Sequence, residues 1–523
     1  MAEAPSRADC APPRIPFRVK SRAANPRRPQ SRRGVFPGFA FAAAAIPASA
    51  QAHGFGQRYD LPIPLSLYIG GAAITVAISC AMLIFFVRAA PAGGIAATLD
   101  LRRSALGRAL VAPSVLAVLR IAGVALYVLV VFAGLFGNQG PLKNIAPVAI
   151  WALWWVGMAY VSALLGDVWK LVNPLESIFM AAERLHSRWR PGKSFGPGWT
   201  LAEPVGAWPA VGLFLVFLWM EMAWEDSDHP AQLAAAILGY SALTWAGMLA
   251  FGRRRWLAAG EVFNRVFGVL ARFAPTRLRT ENGRVTELEL RPYAVGLLAR
   301  EPAGPSEIAL ILLVLAAVSF DGFMETPAWA AIADTFASLT ARDAADPDFH
   351  VAMRTLGLLS APLLFLAIYA LFCRLIAWCG RPTGSRAAGV SAQRVAGLFV
   401  FTLVPIAIAY EVAHYFSFLA MAGQYFIALA SDPLGLGWDL FGTANRFIRP
   451  GLVDARLVWY VSLSAIVTGH VAALYLAHLL SLREFADRRS AARSQWPMLA
   501  LMVGYTMLSL WIIAQPIVTS RFS

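Results

Sequence analysis

After its first fifty residues the chain is divided into ten apolar stretches, and each approaches or exceeds the ~20 residues that carry a helix across a ~30 Å hydrocarbon core. They fall at about 62–87, 111–136, 145–165, 207–225, 231–251, 307–325, 353–378, 398–423, 456–480 and 497–517. No water is available in hydrocarbon, so backbone N–H and C=O groups must bond within the segment, and an apolar run of this length is committed to helix. The expected fold is all-α: a polytopic transmembrane helix bundle of about ten spans. Composition agrees, with 58% hydrophobic and 14% charged residues, against about half and a quarter in a soluble domain.

The loops between these runs alternate in charge. Arg88, Arg102, Arg103 and Arg108 follow the first run, and Lys170, Arg184, Arg188, Arg190 and Lys193 the third. GRRRW follows the fifth, Arg374, Arg381, Arg386 and Arg394 the seventh, and Arg483, Arg488, Arg489 and Arg493 the ninth. The intervening loops are neutral or acidic: GNQGPLKN, WEDSDHP, and 326–350 with Asp334, Asp343, Asp346 and Asp348. Only 424–455, with Arg446 and Arg449, blurs the alternation. Basic loops stay on the cytoplasmic side, so both mature termini are expected in the periplasm of a bacterial inner (cytoplasmic) membrane.

Residues 1–52 predict the same orientation independently. A basic region, the apolar GVFPGFAFAAAAIP and the small-residue endings ASA and AQA read as a secretory signal peptide. Cleavage after Ala52 leaves His53 at the mature N-terminus, followed by the helical domain 53–523. Of the net charge of +15, +7 lies in this leader and the rest in short loops, so the basic balance reports topology and not nucleic acid. The expected partners are a lipid bilayer and a small-molecule substrate. An inner-side insertion at about 252–305 holds an amphipathic helix (RRRWLAAGEVFNRVFGVLARFAP) expected along the membrane surface, then a hairpin turning at Asn282-Gly283. The loop 431–450, rich in Gly, Pro and aromatics, is the candidate lid.

Within or at the ends of four runs stand ionisable groups, which are costly in hydrocarbon and mark sites or pathways. They are Glu221 and Glu225, Asp321 and Glu325, Glu411 and His414, and His470 and His478. Residues three or four apart share a helix face, which pairs Glu221 with Glu225, Asp321 with Glu325, and Glu411 with His414. Depth then ranks them. Asp321, Glu411, His414 and His470 form the expected core, with Asp321 and Glu411 as catalytic candidates. Glu221, Glu325 and His53 make an outer rim, while Glu225 and His478 lie too far out and too far in. Imidazole and carboxylate on facing helices build metal sites in bundles, so His414, His470 and Glu411 are candidate ligands of a divalent metal, zinc first, with an open position for water. Pairing among themselves is the alternative.

The four cysteines make no disulfide framework, and without Cys-x-x-Cys-His there is no covalent haem attachment. Trp151, Trp154, Trp155, Trp219 and Trp224 sit near span ends, as interfacial aromatics do. Asp167 and Glu176 read as boundary residues capping a surface helix.

The phrases AHGFGQRYDLPIPLSLYIGGA, VSFDGFMETP, AHYFSFL, SDPLGLGWDLFGTA and GHVAALYLAH resemble a family of bacterial membrane proteins labelled fenitrothion hydrolase. That resemblance runs from His53 over most of the chain and implies phosphotriester (organophosphate) hydrolysis, though no catalytic roles attach to these phrases. Three readings follow: a membrane-embedded hydrolase with a periplasm-facing His/carboxylate site, a secondary transporter or channel using the same residues, and a haem- or copper-binding redox protein. A hydrolase needs access from one side only. A transporter needs a polar path to both, and Pro405 inside the eighth run is a candidate helix break.

Overall fold

The computed structural model describes residues 61–87, 98–202, 205–281, 283–382 and 389–518. The leader, its cleavage site, His53 and Asn282 lie outside the described residues. In chain order the main helices are α1 (Leu65–Phe86), α2 (Pro113–Phe136), α3 (Ile145–Leu164), α4 (Pro174–Trp189), α5 (Trp208–Met222), α6 (Pro230–Phe251), α7 (Arg253–Ala259), α8 (Val262–Leu270), α9 (Pro305–Met324), α10 (Pro327–Thr340), α11 (Pro347–Cys379), α12 (Ala392–Ser431), α13 (Ala455–Glu484) and α14 (Arg488–Val518). Proline opens six of them, at a position where its missing N–H leaves no carbonyl unserved.

Among the described residues nine helices are long and apolar enough to span a membrane, so this is a multi-pass helical membrane protein. The remaining expected span, 207–225, is the shorter α5, whose 15 residues reach about 22 Å. Burial separates centre from rim. The apolar window of α12 is 83% buried, against 17% for α1 and 11% for α2. Hence α12 is the central post, packed against α13, α3 and α9, while most of the apolar surface of α1 and α2 is left uncovered by other helices. α12 and α13 approach closely at Gly469 of α13, where a side chain would meet Ala409 and the Pro405 carbonyl of α12. Ser462 Oγ seals the same seam by donating to the Ala413 carbonyl at 2.8 Å.

Three local outcomes depart from expectation. Pro405 does not break a helix at mid-membrane: it opens the long α-helical part of α12, directly after a 3₁₀ turn at Val400–Leu403. Residues Val148–Val156 of α3 wind as a π-helix. The amphipathic stretch does not lie along a surface. It breaks at Gly260-Glu261, and α8 wedges into the bundle with Val262, Phe263, Val266 and Phe267 almost inaccessible. Its apolar face finds Trp154 and Phe217, with the Trp154 and Phe263 ring centroids 4.1 Å apart. Aromatic side chains of neighbouring helices have replaced lipid as its partner.

The hairpin forms as β2 (Thr276–Glu281) against β3 (Arg284–Leu290), antiparallel, with Leu278 opposite Leu288. A short β1 (Leu99–Asp100) adds to the other edge of β3, with Leu99 opposite Leu290. This pairing brings the first basic loop to the hairpin. The other basic loops gather at the same end: Thr276 Oγ1 bonds the Leu165 carbonyl, Ala303 N–H the Gly397 carbonyl, and Arg493 the Arg381 carbonyl. Arg483 bonds the Ala299 carbonyl there too. At the opposite end, Asn138 and Ile145 donate to Leu434 and Pro433, and Arg354 to the Met222 carbonyl. Loop charge and loop position therefore agree. The loop 431–450 packs on the ends of α2 and α3 through Leu434, and is not among the residues lining the carboxylate cavity described next.

A candidate carboxylate–histidine site between four helices

Each of four helices contributes one wall. The last turn of α5 carries Glu221, and the last turn of α9 carries Asp321, with Glu325 at its C-terminal cap. The middle of α12 carries Glu411, His414 and Tyr415, and α3 supplies Trp155 and Tyr160. Glu411 and His414 are one helical turn apart and face the same neighbours. His414 Nε2 lies 2.9 Å from Asp321 Oδ2, and Tyr415 Oη donates to the same oxygen at 2.5 Å. Trp155 Nε1 donates to Glu221 Oε1 at 2.7 Å. Tyr160 Oη reaches the Val412 carbonyl at 3.2 Å, pinning α3 to α12 beside Glu411. The charges of Asp321 and Glu411 act on Glu221, and those of Asp321, Glu325 and Glu411 act on His414.

Beneath this network is a cavity of about 40 Å³ lined by Glu221, Glu411, Tyr415, Trp155 and Tyr160, with apolar walls below them. A buried water needs roughly 10–15 Å³ of such space, so the cavity suits about three waters and nothing larger. Two carboxylate oxygens, Glu221 Oε2 and Glu411 Oε1, are buried without a partner among the described residues. Leaving such an atom unbonded costs about 1–3 kcal/mol or more, so water or a ligand proton belongs against them. Exposure rises along α9, from 8% for the His414 side chain against it to 18% for Asp321 and to the exposed Glu325. Toward the hairpin end, Leu164 of α3 and Val266 and Leu270 of α8 close the cavity.

The structure thus brings together Glu221, Asp321, Glu411 and His414, with the exposed Glu325 one turn beyond Asp321. Glu225 is exposed. His470 stands apart: its Nδ1 bonds the Ile466 carbonyl at 2.8 Å and its ring lies against Tyr505. His478 ties α13 to Gln495 of α14 and to the Val87 carbonyl past α1. Among the described residues no three His, Cys, Asp or Glu side chains converge as a metal-holding group. His414 is turned to Asp321, and the His470 contacts are with Ile466 and Tyr505, so His414, His470 and Glu411 do not present a ready three-donor set.

Sequence reasoning passed over Tyr415, Trp155 and Tyr160. Trp155 is not an interfacial aromatic: it is 7% exposed and serves Glu221. Trp154 is likewise an interior ring against Phe263, and Trp219 Nε1 bonds Thr355. Asn173, and neither Asp167 nor Glu176, supplies the side-chain cap of α4. Asp167 pairs with Lys170 at 2.6 Å, and Glu176 with Arg253 at 2.6 Å.

No protein-family model matches this chain, and neither a curated protein nor a solved structure does. Fold and site alone define its class, a multi-pass helical membrane protein with a carboxylate–histidine centre inside the bundle.

Proposed function

We propose that the chain is a membrane-embedded hydrolase in which Glu411 activates a water held in the small cavity. The observation that carries this reading is the pair of unpartnered carboxylate oxygens, Glu221 Oε2 and Glu411 Oε1, on residues that line one water-sized cavity. Glu411 Oε1 is placed to take a proton from that water, and the oxygen then bonds to the electrophile as the ester's leaving group departs. Proton transfer by a positioned carboxylate contributes about 10²–10⁴-fold. Glu221, steadied by Trp155, is the second carboxylate on the water. Asp321, gripped by His414 and Tyr415, positions α9 against α12 and carries negative charge at the mouth. The resemblance to the fenitrothion hydrolase family supports a phosphotriester as substrate, entering past Glu325.

The clustering of basic loops at the hairpin end supports placing that end in the cytoplasm. The mouth at Glu325 then faces the periplasm of a bacterial inner membrane, with residues 1–52 as the signal peptide. A transporter is the second reading, favoured by the π-helical stretch of α3 and the 3₁₀ turn of α12. Interrupted helices are how transporters build midplane sites.

The test is release of nitrophenol from an aryl phosphotriester by protein purified in detergent. Glu411→Gln and Asp321→Asn are each expected to lose about 10²-fold or more in kcat, with Trp219→Phe as an unaffected control. Activity within a factor of about two of the parent in both variants would overturn the carboxylate route. A chelator separates this route, which keeps its activity, from one through a metal on His414, His470 and Glu411. Substrate flux in proteoliposomes without hydrolysis would select the transporter.

A further inference from the structure

A second cavity, of about 670 Å³, lies at the hairpin end between α4, α7, α8 and the hairpin. It shares no lining residue with the carboxylate cavity, and its character is opposite. Seven Lys and Arg side chains line it against three carboxylates, Asp167, Glu176 and Glu307. Three more carboxylates outside the lining offset part of this excess: Glu183 pairs with Arg253 at 3.0 Å, and Glu287 and Glu289 with Arg277 at 3.8 and 3.6 Å. Glu307 alone serves both Arg272, at 3.0 Å, and Arg265, at 3.8 Å. Arg265 Nε is buried with no partner among the described residues. Arg291 gives its donors to the backbone carbonyls of Ala271, Arg272 and Ala274.

The packing has been shaped to admit these groups. A side chain at Gly296 would collide with the Arg291 guanidinium and the Arg272 carbonyl. Arg272 and Arg291 are both held below the ordinary guanidinium range, by burial first; Arg265 adds to this on the one and Arg277 and Arg272 on the other, while Glu307 and Glu289 pull the opposite way. Like charges are crowded here at a cost, and a bound anion relieves it. A second hollow of about 480 Å³ adjoins across Arg265 and Glu307 and adds Arg255.

We propose that this cavity binds a phosphate-bearing anion, either free in solution or as the headgroup of an anionic lipid. Guanidinium forks match phosphate oxygens bidentately, and the volume falls in the ~300–1,000 Å³ range of small-molecule sites. Basic pockets of this kind at the end of a helix bundle are also where lipid phosphates are held.

The full-length protein in neutral detergent is titrated with pyrophosphate by calorimetry. In parallel it is reconstituted in nanodiscs of phosphatidylcholine with and without phosphatidylglycerol, and retained lipid is read by native mass spectrometry. Saturable pyrophosphate binding identifies a soluble ligand, and retention of phosphatidylglycerol over phosphatidylcholine identifies a headgroup. Arg265→Gln is expected to weaken whichever is seen by about tenfold. Should that variant fail to fold, Arg277→Gln at the exposed rim is expected to weaken it about threefold with an unchanged melting temperature. Absence of both signals, or binding unchanged in folded Arg265→Gln or Arg277→Gln, overturns the proposal.

Discussion

Glu261 shows how one residue sets the terms for its surroundings. It is fully buried and caps α8, accepting from the N–H groups of Phe263 and Asn264 and from Tyr240 Oη at 2.8 Å. Burial raises its pKa from the ordinary 4.5 to about 7, although those hydrogen bonds pull the other way. The folded chain therefore keeps a proton that the unfolded chain gives up. Stability from this group is complete below about pH 4.5 and is lost as pH climbs to about 7, a change on the order of 3 kcal/mol. Melting temperature in detergent is expected to fall between pH 5 and 7.5. Glu261→Gln, which keeps an acceptor for the cap, should flatten that slope, and an equal slope in both proteins would refute the assignment. The cap matters because Val266 and Leu270, one and two turns further along α8, close the carboxylate cavity.

Among the helices, the α12–α13 seam is close enough to tolerate little at its crossing. A Cβ at Gly469 would sit 2.4 Å from Ala409 Cβ and 2.7 Å from the Pro405 carbonyl oxygen. Small residues let membrane helices approach closely, and van der Waals packing holds them. Gly469→Val is expected to cost ~1–3 kcal/mol, read as a lower melting temperature. Gly504→Ala on α14, with open space at its Cβ, should be close to neutral. Equal melting temperatures for the two would mean that the seam carries no special load. Because α12 also carries Glu411 and His414, the Gly469 variant is expected to disturb the site as well as the fold.

At the scale of the whole molecule, the basic loops meet at the hairpin end and the acidic loops at the Glu325 end. Asp343 and Arg489 are exposed at opposite ends. In a background with Cys379 replaced by Ser, Asp343→Cys is expected to react with a membrane-impermeant maleimide in intact spheroplasts. Arg489→Cys should react only after permeabilisation. The reverse pattern would invert the topology, and labelling of both from one side would dismantle it.

Hydropathy and loop charge determined, by themselves, the helical class, nine of the spans and the grouping of loops, because transfer of apolar and charged groups between water and lipid is a local property of each segment. The intramembrane carboxylates were legible for the same reason: Glu221, Asp321 and Glu411 stand out in apolar runs wherever they end up. Their partners were not. That Asp321 meets His414 and Tyr415, that Trp155 serves Glu221, and that His470 turns to Ile466 and Tyr505 depend on helix rotation and crossing, which packing between distant segments decides. The tertiary structure alone placed α8 inside the bundle. An amphipathic helix buries its apolar face against whatever is nearest, and here aromatic neighbours on α3 and α5 were nearer than lipid.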